Sequence, residues 1–158
     1  MAVSSPLYEQ DFHAWTEEQA RLLTKGQFDG LDIDALVEEL RLMAGTERRA
    51  LGSQLERLLL HLLKWQAQPR RRLTGHSWED SIVDARERLQ DLLEDGGSLT
   101  RFVAPLLERH YPRARRKAAR QTRLPLPTFP ETCPWTLTQL LAEDFWPDAP
   151  AGEEAGDE

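Results

Sequence analysis

The sequence predicts an all-α fold: a compact bundle of about five helices around one long central helix, with no sheet. Three observations carry this expectation. Apolar residues at 36, 40, 43, 51, 55, 58, 62 and 65 recur in steps of three, four and one eight, which is the period of a single helix face. No segment alternates apolar and polar residues with period two over a useful length. Glycine, proline and capping residues fall between the helical stretches, where helix ends require them.

The first helix is expected from Pro6 to Lys25, with Leu7, Phe12, Trp15, Ala20, Leu22 and Leu23 buried and Gly26 as its stop. Gly26 to Gly30 then forms a turn. Asp32 or Asp34 caps the second helix, and Glu38 and Glu39 sit early in it, favourably placed against its dipole. The stripe keeps its phase past Gly45 and Gly52, although each glycine costs about 1 kcal/mol against alanine in a helix interior. Roughly thirty residues make a rod on the order of 50 Å, against a radius of gyration near ~15 Å for a domain of this size. The rod therefore bends, protrudes or lies in an oligomer interface, and the bend is expected near Gly45. Pro69 ends it, because the residue before a proline avoids the α region.

Thr74-Gly75-His76 reads as a loop, and Ser77 with Asp80 as an N-cap pair. The third helix, about 78–95, should bury Trp78, Ile82, Val83, Leu89, Leu92 and Leu93 and stop at Gly96-Gly97. Ser98 should cap a fourth helix running through Phe102, Leu106, Tyr111 and Ala118, which Pro105 or Pro112 kinks or breaks. Leu124-Pro125-Leu126-Pro127 and Phe129-Pro130 read as extended connectors. Thr136-Leu137-Thr138-Gln139 is a capping-box pattern that opens a short last helix to about Glu143. The domain is thus expected over 1–146, followed by an acidic, disordered tail over 147–158 rich in Ala, Gly, Glu and Asp.

A chain of 158 residues, 40% hydrophobic and 30% charged, is long and apolar enough for one globular core and too apolar for a disordered protein. Met1 to Pro6 carries no basic residue and no apolar run, so no secretory leader is expected. No stretch approaches the roughly 18 apolar residues of a membrane span. Cys133 is the only cysteine, which excludes an internal disulfide and a multi-cysteine zinc site. A cytoplasmic location follows by default.

The net charge of −7 conceals segregation. Glu143, Asp144, Asp148, Glu153, Glu154, Asp157 and Glu158 supply that excess, and without them acids and bases balance. Residues 1–40 are acidic apart from Arg21 and Lys25, whereas residues 101–123 are basic apart from Glu108. Such halves suit each other, within the monomer or across a dimer. A basic patch for nucleic acid is the sharper alternative.

Several motifs together resemble a bacterial family known as domain of unknown function number 29. They are Tyr8-Glu9-Gln10-Asp11-Phe12-His13-Ala14-Trp15, Leu31-Asp32 with Glu38-Glu39-Leu40, and the stretch from Leu58 to Pro69 around His61-Leu62-Leu63-Lys64-Trp65-Gln66. Ser77-Trp78, Phe129-Pro130-Glu131 and Cys133-Pro134-Trp135 complete them. The resemblance covers nearly the whole ordered chain and implies a small all-α fold with no established activity.

Two groups of residues are candidates for function. His61, Lys64, Trp65 and Gln68 share one side of the second helix, and with Arg70 and Trp78 they could line an anion pocket. The helix C-terminus works against this, because its dipole end is negative, and Lys64 and Arg70 could equally satisfy its free carbonyls. Arg113, Arg116, Lys117 and Arg120 line one stripe of a basic helix and form the nucleic-acid candidate. No metal site is expected: the other histidines are His13, His76 and His110, and no short His or Glu-x-x-His spacing is present. A site built from His61, Asp11 and Glu38 or Glu39 would require helices to converge. No cofactor motif occurs, and GxSxG, P-loop and GxGxxG patterns are missing. Cys133, between Thr132 and Pro134, reads as a structural thiol.

The favoured function is a non-catalytic helical interaction or regulatory module, self-associating through the long helix (a dimer is favoured) or binding a partner protein. A nucleic-acid-binding accessory factor comes second. An enzyme with a pocket around His61 comes third, since no residues assign a nucleophile, a base and an oxyanion donor.

Overall fold

Helices dominate the computed structural model, which describes residues 5–72, 76–95 and 97–148. Among these residues there are six α-helices and no strand: α1 (Pro6–Gln10), α2 (Phe12–Thr24), α3 (Ile33–Ala67), α4 (His76–Asp95), α5 (Thr100–Thr122) and α6 (Leu137–Leu141). Single 3₁₀ turns occupy Phe28–Gly30, Pro69–Arg71, Gly97–Leu99 and Leu126–Thr128. Thr74 and Gly75 of the expected loop, Gly96 of the expected stop, and most of the expected tail (149–158) lie outside the described residues. By its internal contacts the chain divides after Thr46 into two compact units.

The first unit departs from the expected single helix 6–25. Asp11 leaves helical geometry (φ −148°, ψ 86°) and its carboxylate accepts from the Ala14 N–H at 3.0 Å. A residue that caps the following helix cannot continue the preceding one, so α1 and α2 separate there. Gly26, at φ +68°, lets the chain turn back; Gln27 N–H donates to Leu22 O and Gly26 N–H to Leu23 O, the paired closure of a Schellman ending. Trp15, Leu22 and Ala35 are buried, but Phe12 and Leu23, expected inside, are each 49% exposed. Asp32 organises this unit more than it caps α3. Its carboxylate accepts from Ser5 N–H (2.9 Å) and Trp15 Nε1–H (3.2 Å), while its own N–H donates to the buried Gln19 Oε1 (2.8 Å).

Helix α3 remains helical through both Gly45 and Gly52. In the second unit its stripe is inside: Leu51, Leu55, Leu58, Leu59, Leu62 and Leu63 form one cluster with Ile82, Ala85 and Leu89 of α4 and with Val103, Tyr111, Ala114 and Ala118 of α5. Val83, expected in this core, is 41% exposed. Helix α4 begins at His76, so Ser77 lies within it rather than capping it. The 3₁₀ turn over Gly97–Leu99 leads directly into α5, whose N-cap is Leu99 with no side-chain hydrogen bond, displacing Ser98 from that role. Neither Pro105 nor Pro112 ends α5. Both are exposed and seven residues apart on one face, where water can serve the carbonyls they leave free.

The segment after α5 is strapped down by side chains that donate to its carbonyls. Tyr111 Oη donates to Pro130 O (2.6 Å), Arg115 Nε to Phe129 O (3.1 Å) and Gln90 Nε2 to Leu141 O (2.9 Å). The fully buried Arg86 donates from Nε to Leu140 O (2.8 Å) and from Nη2 to Phe145 O (2.6 Å). The connector expected to be extended contains the 3₁₀ turn Leu126–Thr128. The expected capping box is present, with Thr136 Oγ1 accepting from Gln139 N–H and Gln139 Oε1 accepting from Thr136 N–H.

Candidate functional site

The six residues of the expected anion pocket sit at two neighbouring places around the end of α3. In the first, His61 Nδ1 lies 2.8 Å from the carbonyl of Arg57, one turn back on its own helix. Burial pushes the His61 pKa below the ordinary histidine value. Lys64 Nζ donates to Gln121 Oε1 at 2.9 Å and stands 5.0 Å from the centre of the Trp78 ring, a cation–π contact. Burial, with the Arg71 charge behind it, lowers the Lys64 pKa.

In the second place, Trp65 packs on Trp146 with ring centres 4.6 Å apart. Arg72 lies over Trp65 at 4.9 Å and donates to Trp65 O and Pro147 O. Arg72 therefore satisfies a carbonyl at the helix end, the role the sequence suggested for Lys64 or Arg70. Arg70 is exposed. Trp65 Nε1 and Gln68 Oε1 are buried without hydrogen-bond partners. The corner is a packed aromatic and cationic junction, with one orphan donor and one orphan acceptor.

A constellation that sequence reasoning missed joins α3 to α5. Glu56 and His110 expose only 12% and 13% of their side chains, and His110 Nδ1 lies 2.6 Å from Glu56 Oε2. Lys117 Nζ pairs with the other carboxylate oxygen. Burial alone would raise the Glu56 pKa, but hydrogen bonds from Lys117 and His110 outweigh it and hold the carboxyl below its usual range. The His110 ring covers Gly52 so closely that a Cβ there would lie 2.5 Å from Nε2. With Nδ1 on Glu56 and Nε2 against the α3 backbone, this ring works as an interhelical clamp. A shallow cleft of about 230 Å³ opens beside it, lined by Ser53, Glu56, Arg57, Leu60 and Lys117. Nothing local in the sequence ties Glu56 to the cluster, because His110 and Lys117 lie 54 and 61 residues beyond it.

On the basic helix, Arg113, Arg116 and Arg120 are exposed on α5, whereas Lys117, although half exposed, is committed to Glu56. Among the described residues no group of three or more His, Cys, Asp or Glu side chains converges as a metal would require. The Cys133 thiol is half-buried against Trp135 O, and burial raises its pKa, so it is a poor nucleophile.

The least conventional surface belongs to the first unit. The exposed large apolar side chains of the described residues fall between Phe12 and Met43, apart from Val83 and Leu126. On α3, Leu40 is 63% and Met43 64% exposed, although both lie on the stripe whose residues from Leu51 onward are buried.

Residues 7–146 match the family model described as Domain of unknown function DUF29. The chain belongs to that family. Membership in DUF29 assigns no activity to any of the clusters above. No curated protein and no solved structure matches the chain. No helix among the described residues is long and apolar enough to cross a membrane.

Proposed function

We propose that the chain is a non-catalytic helical interaction module whose docking face is the exposed apolar side of α3 in its first unit. The observation that carries this reading is the exposure of Ile33 (56%), Val37 (38%) and Leu40 (63%), at steps of four and three along one helix face. Monomeric proteins rarely leave such an apolar strip to water. The clusters with the most distinctive chemistry are spent on structure: His110 and Glu56 on each other, His61 on a backbone carbonyl, Arg86 on two carbonyls. The lone thiol of Cys133 suits a reducing compartment, and in this reading the module works in the bacterial cytoplasm.

Leu40→Glu tests the reading. A leucine already exposed to water can be replaced at little cost to the fold, so the far-UV circular dichroism and melting temperature should stay within ~2 °C of the parent. Association measured by sedimentation should be lost. A large drop in melting temperature would show that Leu40 supports the fold instead.

A second reading rests on the exposed arginines of α5. Arg113, Arg116 and Arg120 fall at steps of three and four on one face, a spacing that could follow phosphates. Binding of short DNA or RNA would then fall steeply with salt, with a log–log slope of about −2 to −3 for three contacts. No binding at low ionic strength removes this reading.

A further inference from the structure

We propose that α3 pairs with α3 of a second copy of this chain, antiparallel, about a two-fold axis passing between Glu38 and Glu39. The inference rests on the interaction-module reading and names the partner for its docking face.

The exposed seam is Ile33, Val37, Leu40 and Ala44, spaced four, three and four, the step pattern of a coiled-coil heptad. At about 100° per residue these four lie within roughly 60° of one another around the helix. The opposite side of the same segment faces the interior of the first unit: Ala35 is buried, and Glu39 accepts a hydrogen bond from Tyr8 Oη. The seam therefore points away from the unit's own core. The partner helix must supply complementary apolar knobs and tolerate the charges on either edge.

Those edges select the occupant. One edge carries Asp34 and Arg41, seven residues apart, and the other carries Leu36 and Met43. In an antiparallel pair each edge meets itself in reverse. Seam layers then form as Ile33 with Ala44′ and Val37 with Leu40′, the prime denoting the second copy. Asp34 falls beside Arg41′ and Arg41 beside Asp34′, while Leu36 meets Met43′. A parallel pair would instead set Leu36 against Arg41′ and give Asp34 no basic neighbour. The segment is complementary to itself in one direction only, as an isologous dimer interface must be. Twelve residues give about 18 Å of contact, so the dimer belongs to the weak class, with a Kd on the order of 10–100 µM.

The experiment is sedimentation equilibrium of the full chain over roughly 5–200 µM, a range that brackets that Kd. Asp34→Arg and Arg41→Asp should each weaken self-association at least about tenfold, since two attractive pairs become repulsive. The double variant Asp34→Arg/Arg41→Asp should restore it. An equimolar mixture of the two single variants should also associate, because the wholly basic edge of one chain then meets the wholly acidic edge of the other. Circular dichroism confirms that every variant is folded. A parent that stays monomeric at ~200 µM overturns the second copy as partner. A dimer lost in Leu40→Glu but indifferent to both charge reversals overturns the antiparallel register while leaving the interaction module standing. A dimer that survives Leu40→Glu as well overturns both.

Discussion

Gly52→Ala turns the contact between Gly52 and His110 into a measurable sign. In an exposed helix interior, replacing glycine by alanine stabilises by about 1 kcal/mol. Here the added Cβ would lie 2.5 Å from His110 Nε2, closer than Cβ atoms come to their neighbours, and 3.1 Å from Cδ2, a tight contact. The end of a free side chain would swing aside at little cost, but this ring is held by its 2.6 Å contact with Glu56. Moving it sacrifices a charge-assisted hydrogen bond worth roughly 1.5–3 kcal/mol, and leaving it in place overpacks the interface at about 1–3 kcal/mol. Less the helix-propensity gain, either penalty leaves Gly52→Ala destabilising by about 0.5–2 kcal/mol, read from urea unfolding at constant m. In a His110→Ala background the obstacle is gone, and the same substitution should stabilise by about 1 kcal/mol, a coupling of ~1.5–3 kcal/mol. A single Gly52→Ala variant as stable as the parent, or more so, would refute the clamp.

Arg86→Leu removes both donors that hold Leu140 O and Phe145 O, leaving carbonyls that cost about 1–3 kcal/mol each when buried without a partner. Relief of the buried charge offsets part of this, so urea titration should show a loss of about 2–4 kcal/mol. Limited proteolysis should then cut within 137–148, and unchanged protection there would count against the strap. His61 titrates below its ordinary range because it is buried, so in the folded state it binds a proton less readily than in the unfolded state. Stability should be independent of this group above about pH 6.5 and fall as pH drops below that value towards the folded pKa. His61→Gln should flatten that part of the stability profile, and an equal slope in parent and variant would show that other groups set it.

Helix ends were legible where one side chain has one job. Pro69 stops α3, Gly26 turns the chain after α2, and the Thr136/Gln139 box forms with both hydrogen bonds in place. The errors come from residues with two jobs. Asp11 is an acceptable helix residue and a better cap, and its local choice split the first helix. Ser77 and Ser98 resemble caps, yet α4 starts one residue before the first, and the second is absorbed into a 3₁₀ turn. The prolines of α5 looked like breaks because their exposure, which decides their cost, depends on tertiary packing.

The candidate sites follow the same division. His61, Lys64 and Trp65 could be placed together because helical spacing is local, but Arg72, Trp146 and Gln121 complete their surroundings from elsewhere in the chain. Glu56, His110 and Lys117 carried no signal at all, since only packing brings them together. The apolar stripe shows the limit most sharply. Residues 33–44 and 51–62 obey the same spacing, but Leu55 and Leu58 are wholly buried by helices of their own unit whereas Leu40 is 63% exposed. Periodicity reports which face avoids water and is silent on what covers it. Covering one leucine side chain is worth about 1.5–3 kcal/mol, so an uncovered seam is a standing drive towards association. In the antiparallel pairing proposed above, the edges of this seam are complementary only when reversed, which would give that drive a direction as well as a magnitude.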